Sequence, residues 1–195
     1  LNGQETGFEG NWSERYNALS DAQKAVVDAV DDHKLIILTG LPGTGKTTTI
    51  QAIVDCYGAE NVALLAPTGK AAARMSELCG IEARTLHSFF FNPMGGPVVV
   101  TNTIVIVDEV SMMDAQMAKW IGEGVHDSCV LILCGDPDQL PSVGPGSVLA
   151  DILGSGVLED CHFHLTEIMR QKPGSILQSA HAIHAGKTPV VGDDK

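Results

Sequence analysis

The sequence is short of basic residues. Its 12 lysines and arginines face 24 aspartates and glutamates, a net charge of −12 over 195 residues. That balance excludes a protein that grips nucleic acid by bulk positive charge, while leaving room for a local groove with a few backbone contacts. No apolar run reaches the ~18 residues that a membrane span needs. The opening stretch has neither a basic start nor an apolar signal core, so the expected location is the cytoplasm. The five cysteines, Cys56, Cys79, Cys129, Cys134 and Cys161, are odd in number and form no CxxC pair. Three of them (Cys56, Cys129, Cys134) lie in or beside apolar segments, which reads as reduced, buried thiols rather than disulfides. Internal repeats and low-complexity tracts are also missing.

Hydrophobic residues make up 44% of the chain, which excludes a disordered protein. The length suits one domain, or one domain and the beginning of another. Residues 1–19 are polar, with Gly3, Gly7 and Gly10, and read as a loosely ordered arm. Ser20-Asp21 then look like a helix cap, followed by Ala22, Ala25, Val26, Ala29 and Val30 at helical spacing. Five short apolar runs follow: LIIL (35–38), VALLA (62–66), TIVIV (103–107), VLILC (130–134) and HFHLT (162–166). The first four are nearly continuous in apolar character, as strands buried on both faces of a parallel sheet should be. Segments of helical composition lie between them at 46–56, 69–79, 111–121 and 145–153. The expected fold is α/β, a mostly parallel central sheet with helices on both faces, with ligands at the carboxyl ends of the strands.

One of those ends carries GLPGTGKTTT, residues 40–49. Gly40-x4-Gly45-Lys46-Thr47 fits the phosphate-loop pattern GxxxxGK[ST], with a strand before it and a helix after it. The glycines let successive N–H groups point at phosphate oxygens, and the helix N-terminus adds partial positive charge. The expected nucleotide contacts are Gly40, Pro42, Gly43, Thr44, Gly45, Lys46, Thr47 and Thr48. Lys46 should reach the β- and γ-phosphates of ATP, and the Thr47 hydroxyl should ligate Mg²⁺. The metal needs an acid from a neighbouring strand, which TIVIVDEVSMMD supplies. Asp108 is the expected magnesium-side acid, and Glu109 is placed to orient or deprotonate the attacking water.

From about residue 19 to residue 188, the ordered motifs closely resemble the RecD-like branch of superfamily-one DNA helicases. LSDAQKAVV (19–27) is similar to the segment before the family's phosphate loop, and the resemblance implies that Gln23 reads the adenine edge. APTGKAAARM (66–75) and ARTLHSF (83–89) resemble two motifs that line the family's single-stranded DNA path, matching Thr68, Gly69, Lys70, Thr85 and His87. Core packing is the alternative for His87 and Phe89. CGDPDQLPSVGPGSVLADIL (134–153) resembles the motif that couples phosphate state to DNA contact, with Asp136 and Gln139 just after a strand. LTEIMRQ (165–171) resembles the motif whose arginine touches the γ-phosphate, here Arg170. The resemblance implies a RecA-like motor domain over 20–172, 5′→3′ movement, and a second RecA-like domain or partner subunit whose connection starts at 173–195. It also implies that ATP lies between two such domains. NPMGGPVVVTN, between the His87 motif and TIVIV, is too short for more than a stub of the family's duplex-splitting hairpin. DNA is expected to cross the strand ends opposite the nucleotide.

Two other readings stay open: a phosphate-loop ATPase that acts as a switch on a protein partner, and a non-catalytic nucleotide-binding subunit. Cys161-His162-x-His164 and His181-x-x-His184 have zinc-ligating residue types, but strand alternation separates Cys161 from His162 and His164, and satisfied strand histidines explain the pattern. Met112, Met113 and Met117 read as core, and Trp12 and Tyr16 as a dock for the arm.

Overall fold

A computed structural model describes residues 12–91, 99–100, 103–167 and 186–188. Among the described residues, thirteen α-helices and β-strands follow one another: α1 (Trp12–Asn17), α2 (Asp21–Asp32), β1 (Leu35–Gly40), α3 (Lys46–Tyr57), β2 (Val62–Ala66), α4 (Gly69–Cys79), β3 (Ala83–Thr85), α5 (Leu86–Phe90), β4 (Ile104–Val107), α6 (Ala115–Gly124), β5 (Val130–Gly135), α7 (Val148–Gly154) and β6 (His162–Leu165). The strands form one six-stranded sheet in the order β3-β2-β4-β5-β1-β6, and every pairing is parallel.

Because the central strands are covered on both faces, their apolar residues divide between two cores. Ile36 and Leu38 of β1, Leu64 of β2, Ile104 and Ile106 of β4 and Ile132 and Cys134 of β5 face α2, α3 and α4. Ile37, Leu65, Val105, Val107 and Leu133 face α5, α6 and α7 on the other side. Near-continuous apolar runs are thus what a sheet sandwiched between helices requires, at about 1.5–3 kcal/mol for each large side chain buried.

The helix starts are chemically marked. Ser20 and Gln23 form a reciprocal capping box at α2. Thr68, Thr85 and Asp114 accept backbone N–H bonds at the starts of α4, α5 and α6.

Several details depart from the sequence expectations. The loose arm read over 1–19 contains α1, whose Tyr16 packs against the core and donates to Asp28 at 2.8 Å, while Arg15 pairs with Asp55 at 2.7 Å. The helix read over 111–121 is instead a 3₁₀ turn (Val110–Met112) followed by α6, because Asp114 caps a new start. The helix read over 145–153 begins only at Val148. Strand β3 was not anticipated. Of the methionines, Met113 is buried and Met117 packs on the core, but Met112 is exposed. Cys129 and Cys134 are buried and all five cysteines are free thiols, but Cys56 is exposed. Among the described residues no helix is long and apolar enough to cross a membrane.

Gly40 shows how closely β6 presses on the phosphate loop. A Cβ there would sit 2.6 Å from Thr44 Oγ1 and 2.7 Å from the Leu165 carbonyl oxygen. We expect Gly40→Ala to lower stability by about 1–3 kcal/mol through overpacking. A thermal melt indistinguishable from wild type would show that β6 yields freely.

Candidate nucleotide and strand-binding site

In a wholly parallel sheet every strand ends on the same edge. Gly40, Thr68, Thr85, Asp108 and Asp136 each lie at or just beyond a strand's carboxyl end, and so does Thr166 after β6. This corrects the expectation that DNA would cross strand ends opposite the nucleotide. Thr68–Lys70 and Thr85–His87 share the edge of the phosphate loop, displaced toward β2 and β3.

The loop itself is held by its own residues. Gly43 and Gly45 have φ of 88° and 91°, left-handed values that glycine adopts without strain. The Thr44 hydroxyl donates to the Leu41 carbonyl at 2.8 Å and that of Thr49 to the Gly45 carbonyl at 3.1 Å. Thr47, by contrast, has no side-chain partner among the described residues, which leaves its hydroxyl available as a ligand. The Lys46 ammonium donates to the carbonyls of Gly40 and Leu41. Pro42 and Thr48 are exposed at the loop surface.

Gln23 is 1% exposed, and both ends of its amide are engaged: Oε1 accepts from Ser20 N at 3.0 Å and Nε2 donates to the Gly45 carbonyl at 3.2 Å. It ties the start of α2 to the phosphate loop. One acceptor position and one N–H of the amide remain, so reading an adenine would require uncovering the buried side chain and not breaking these bonds.

Across from the loop, β4 ends in two acids of different standing. Asp108 Oδ1 accepts from Glu109 N at 2.9 Å. Burial raises the Asp108 carboxyl above the usual range. The Glu109 N–H, the Cys134 thiol and the charges of Lys46 and Arg74 pull it back. Glu109 has φ 56° and is the non-glycine residue in the left-handed region among the described residues. Such a backbone costs about 1–3 kcal/mol and clusters at functional sites. It turns the chain sharply off β4, so that Val110 is buried again directly after Glu109. Burial and then the Asp108 charge raise the Glu109 carboxyl, Asp136 adds to this, and Lys46 and Arg74 oppose it.

Asp136 is 2% exposed and organises the turn after β5. Its Oδ1 accepts from Asp138 N at 3.0 Å, and its Oδ2 lies 3.4 Å from Gln139 Nε2. Gln139 is thereby tethered to an acid whose charge reaches Glu109. Toward β2 and β3, Thr68 and Thr85 spend their hydroxyls on caps, accepting from Ala71 N at 3.2 Å and Ser88 N at 3.0 Å. Gly69, Lys70 and His87 are exposed. The His87 ring stacks on Phe91 and meets Trp120 edge-on, so it is Leu86 rather than His87 that fills the core, while Phe89 is partly buried against it.

Arg170, His181 and His184 lie outside the described residues, as does most of the NPMGGPVVVTN segment. His162 Nε2 and His164 Nδ1 both reach the buried Thr39 hydroxyl, at 2.7 and 2.8 Å, which satisfies them without a metal; no group of three or more metal-ligating side chains occurs among the described residues. Two neighbours of the β4 acids were not read as such from the sequence. Arg74, one helical turn after Lys70, adds positive charge to both acids of β4. Cys134, read from the sequence only as a buried thiol, follows Leu133, whose register partner Val107 directly precedes Asp108.

The donor set fits a magnesium nucleotide. Backbone N–H groups of a glycine loop at a helix start, one lysine, an unpartnered hydroxyl and a carboxylate from an adjoining strand are what polyphosphate and a hard cation require.

The model of a family described as AAA domain matches residues 18–193. The ATP-dependent RecD2 DNA helicase of Deinococcus radiodurans is 37% identical over 188 residues, covering 91% of this chain and 25% of that protein. The crystal structure of the Pif1 helicase from Candida albicans superimposes with a TM-score of 0.62 at 25% identity, over 88% of this chain and 45% of that one. A Bacteroides Pif1 bound to single-stranded DNA gives 0.57 at 22% identity, over 87% and 47%. The chain thus spans about a quarter of the RecD2 helicase and under half of each structural neighbour. The fold is RecA-like, and the chain belongs to the AAA domain family, where it is similar to the RecD-like superfamily-one helicases.

Proposed function

We propose that this chain is the first RecA-like motor domain of a RecD-like DNA helicase or translocase, hydrolysing ATP with Mg²⁺ in step with its hold on single-stranded DNA. One observation carries the reading: Lys46, Thr47, Asp108, Glu109, Asp136 and Gln139 and the start of α4 all lie on one edge of one sheet. Its relatives, an ATP-dependent DNA helicase and a Pif1 bound to single-stranded DNA, support it.

In this reading Lys46 leaves the carbonyls of Gly40 and Leu41 for the phosphates. Thr47 and Asp108 would hold the magnesium, which would supply positive charge to offset that of the phosphates. Glu109 takes the proton of the attacking water. Gln139, tethered to Asp136, senses the γ-phosphate, and Arg170 adds a bidentate cation. Single-stranded DNA runs along Thr68–Lys70 and His87, its phosphates meeting the α4 N-terminus and Lys70 and its bases meeting the His87 ring. A second RecA-like domain or a partner subunit completes the cleft.

The strand path is testable by anisotropy with labelled oligothymidine. We expect Lys70→Ala to weaken binding and to flatten the plot of log K against log salt by about 0.7, one phosphate contact on a single strand. An unchanged slope would remove Lys70 from the path. No binding by wild type would favour an ATPase that switches a protein partner.

A further inference from the structure

Three consecutive phenylalanines close α5, and they are not used alike. Phe89 and Phe90 meet edge to face, with centroids 5.2 Å apart, and both pack against the core beneath α6. Phe91 is 59% exposed, the one aromatic among the exposed large hydrophobic side chains of the described residues. Its N–H donates to the His87 carbonyl at 2.9 Å, which fixes its backbone at the end of the helix. Its ring lies on the His87 imidazole, with centroids 5.4 Å apart and planes 10° from parallel. Trp120 of α6 meets the same imidazole edge-on, also at 5.4 Å and at 68°. The imidazole is thus braced by two rings, and the outer face of Phe91 is left to solvent.

We propose that Phe91, backed by His87 and Trp120, is a stacking platform for a base of single-stranded DNA. The place is continuous with the strand path: α5 starts directly after Thr85 at the carboxyl end of β3, and Phe91 lies one helical turn beyond His87. The chemistry suits this chain. With 12 basic residues against 24 acidic ones, it has little charge to spend on phosphates. A flat ring needs no charge to hold a base, and every base has a π-face, so the contact is indifferent to sequence, as a moving motor requires. A ring already fixed by its neighbours also loses little freedom when the base arrives. The proposal rests on the reading that single-stranded DNA passes the His87 motif, and it adds the residue that takes the base.

Anisotropy with two labelled strands of equal length tests it: oligothymidine, and an abasic strand with the same phosphates and no bases. Phe91→Ala should weaken oligothymidine binding roughly five- to hundredfold, the worth of one stacked base. It should leave binding of the abasic strand, and the salt slope, unchanged. Phe91→Tyr keeps the ring and should bind oligothymidine as wild type does. An alanine variant that binds oligothymidine as tightly as wild type overturns the platform and leaves the exposed ring to a protein partner. An equal loss on both strands also overturns it, because Phe91 would then only support the helix. A tyrosine variant as weak as the alanine one does the same. Wild type that binds both strands alike keeps the strand path and removes the platform. Wild type that binds neither strand overturns the strand path of the functional reading itself, and the platform with it.

Discussion

Glu109→Gln is expected to leave Mg·ATP binding intact and to cut turnover roughly 10²–10⁴-fold, the usual contribution of a positioned general base. The amide keeps the shape of the carboxylate and cannot take a proton. Glu109 is suited to the task because burial and the neighbouring charges of Asp108 and Asp136 raise its carboxyl above the ordinary value, toward the pH at which a base is most effective. The ionised form is the active one, so kcat/KM should fall as pH drops through the raised pKa. The acid limb should therefore lie above the ~4.3 of an unperturbed glutamate. The same shift has a stability consequence of fixed sign. A carboxyl whose folded-state pKa is raised stabilises the fold fully below its unfolded value and loses that contribution as pH rises through the raised value. At neutral pH the ionised group is a burden on the fold, so Glu109→Gln should melt no lower than wild type. Near-normal turnover in this variant would place the base elsewhere.

Lys46→Ala should lower nucleotide affinity by roughly 10–10²-fold, the range for losing hydrogen bonds to a charged group, and should bring turnover to background. Its ammonium is also a structural donor in the free protein, to Gly40 O and Leu41 O. The fold should survive, because the Thr44 hydroxyl also donates to Leu41 O at 2.8 Å and Gln23 holds Gly45 O at 3.2 Å. Calorimetric titration with ATP and a thermal melt separate the two roles. Lost affinity with a preserved melt supports the phosphate role, whereas a collapsed melt would make Lys46 chiefly a loop clasp.

The sheet was legible in the sequence wherever burial on both faces forced apolar runs, as at VALLA and VLILC. Strand β3 was not legible, because Ala83-Arg84-Thr85 is a three-residue edge strand with one neighbour and no need for an apolar run. The break between the Val110–Met112 turn and α6 was hidden for a related reason. Met113 and Asp114 are extended and Asp114 caps a new start, while helical composition continues across them. Motif residues could be read as chemistry, but not the second use of their atoms. Thr68 and Thr85 cap helices, and Gln23 serves the α2 cap and the phosphate loop together. Arg74 escaped notice, and Cys134 was read only as a buried thiol, because their nearness to Asp108 runs through neighbouring elements of the sheet and not along the chain.

The most direct test of the account is ATP turnover by this chain with and without single-stranded oligothymidine, with Lys46→Ala as the blank. The account predicts magnesium-dependent turnover that rises when DNA is added and vanishes in Lys46→Ala. Turnover that depends on Lys46 and is indifferent to DNA would contradict the coupling of the phosphate site to the strand path.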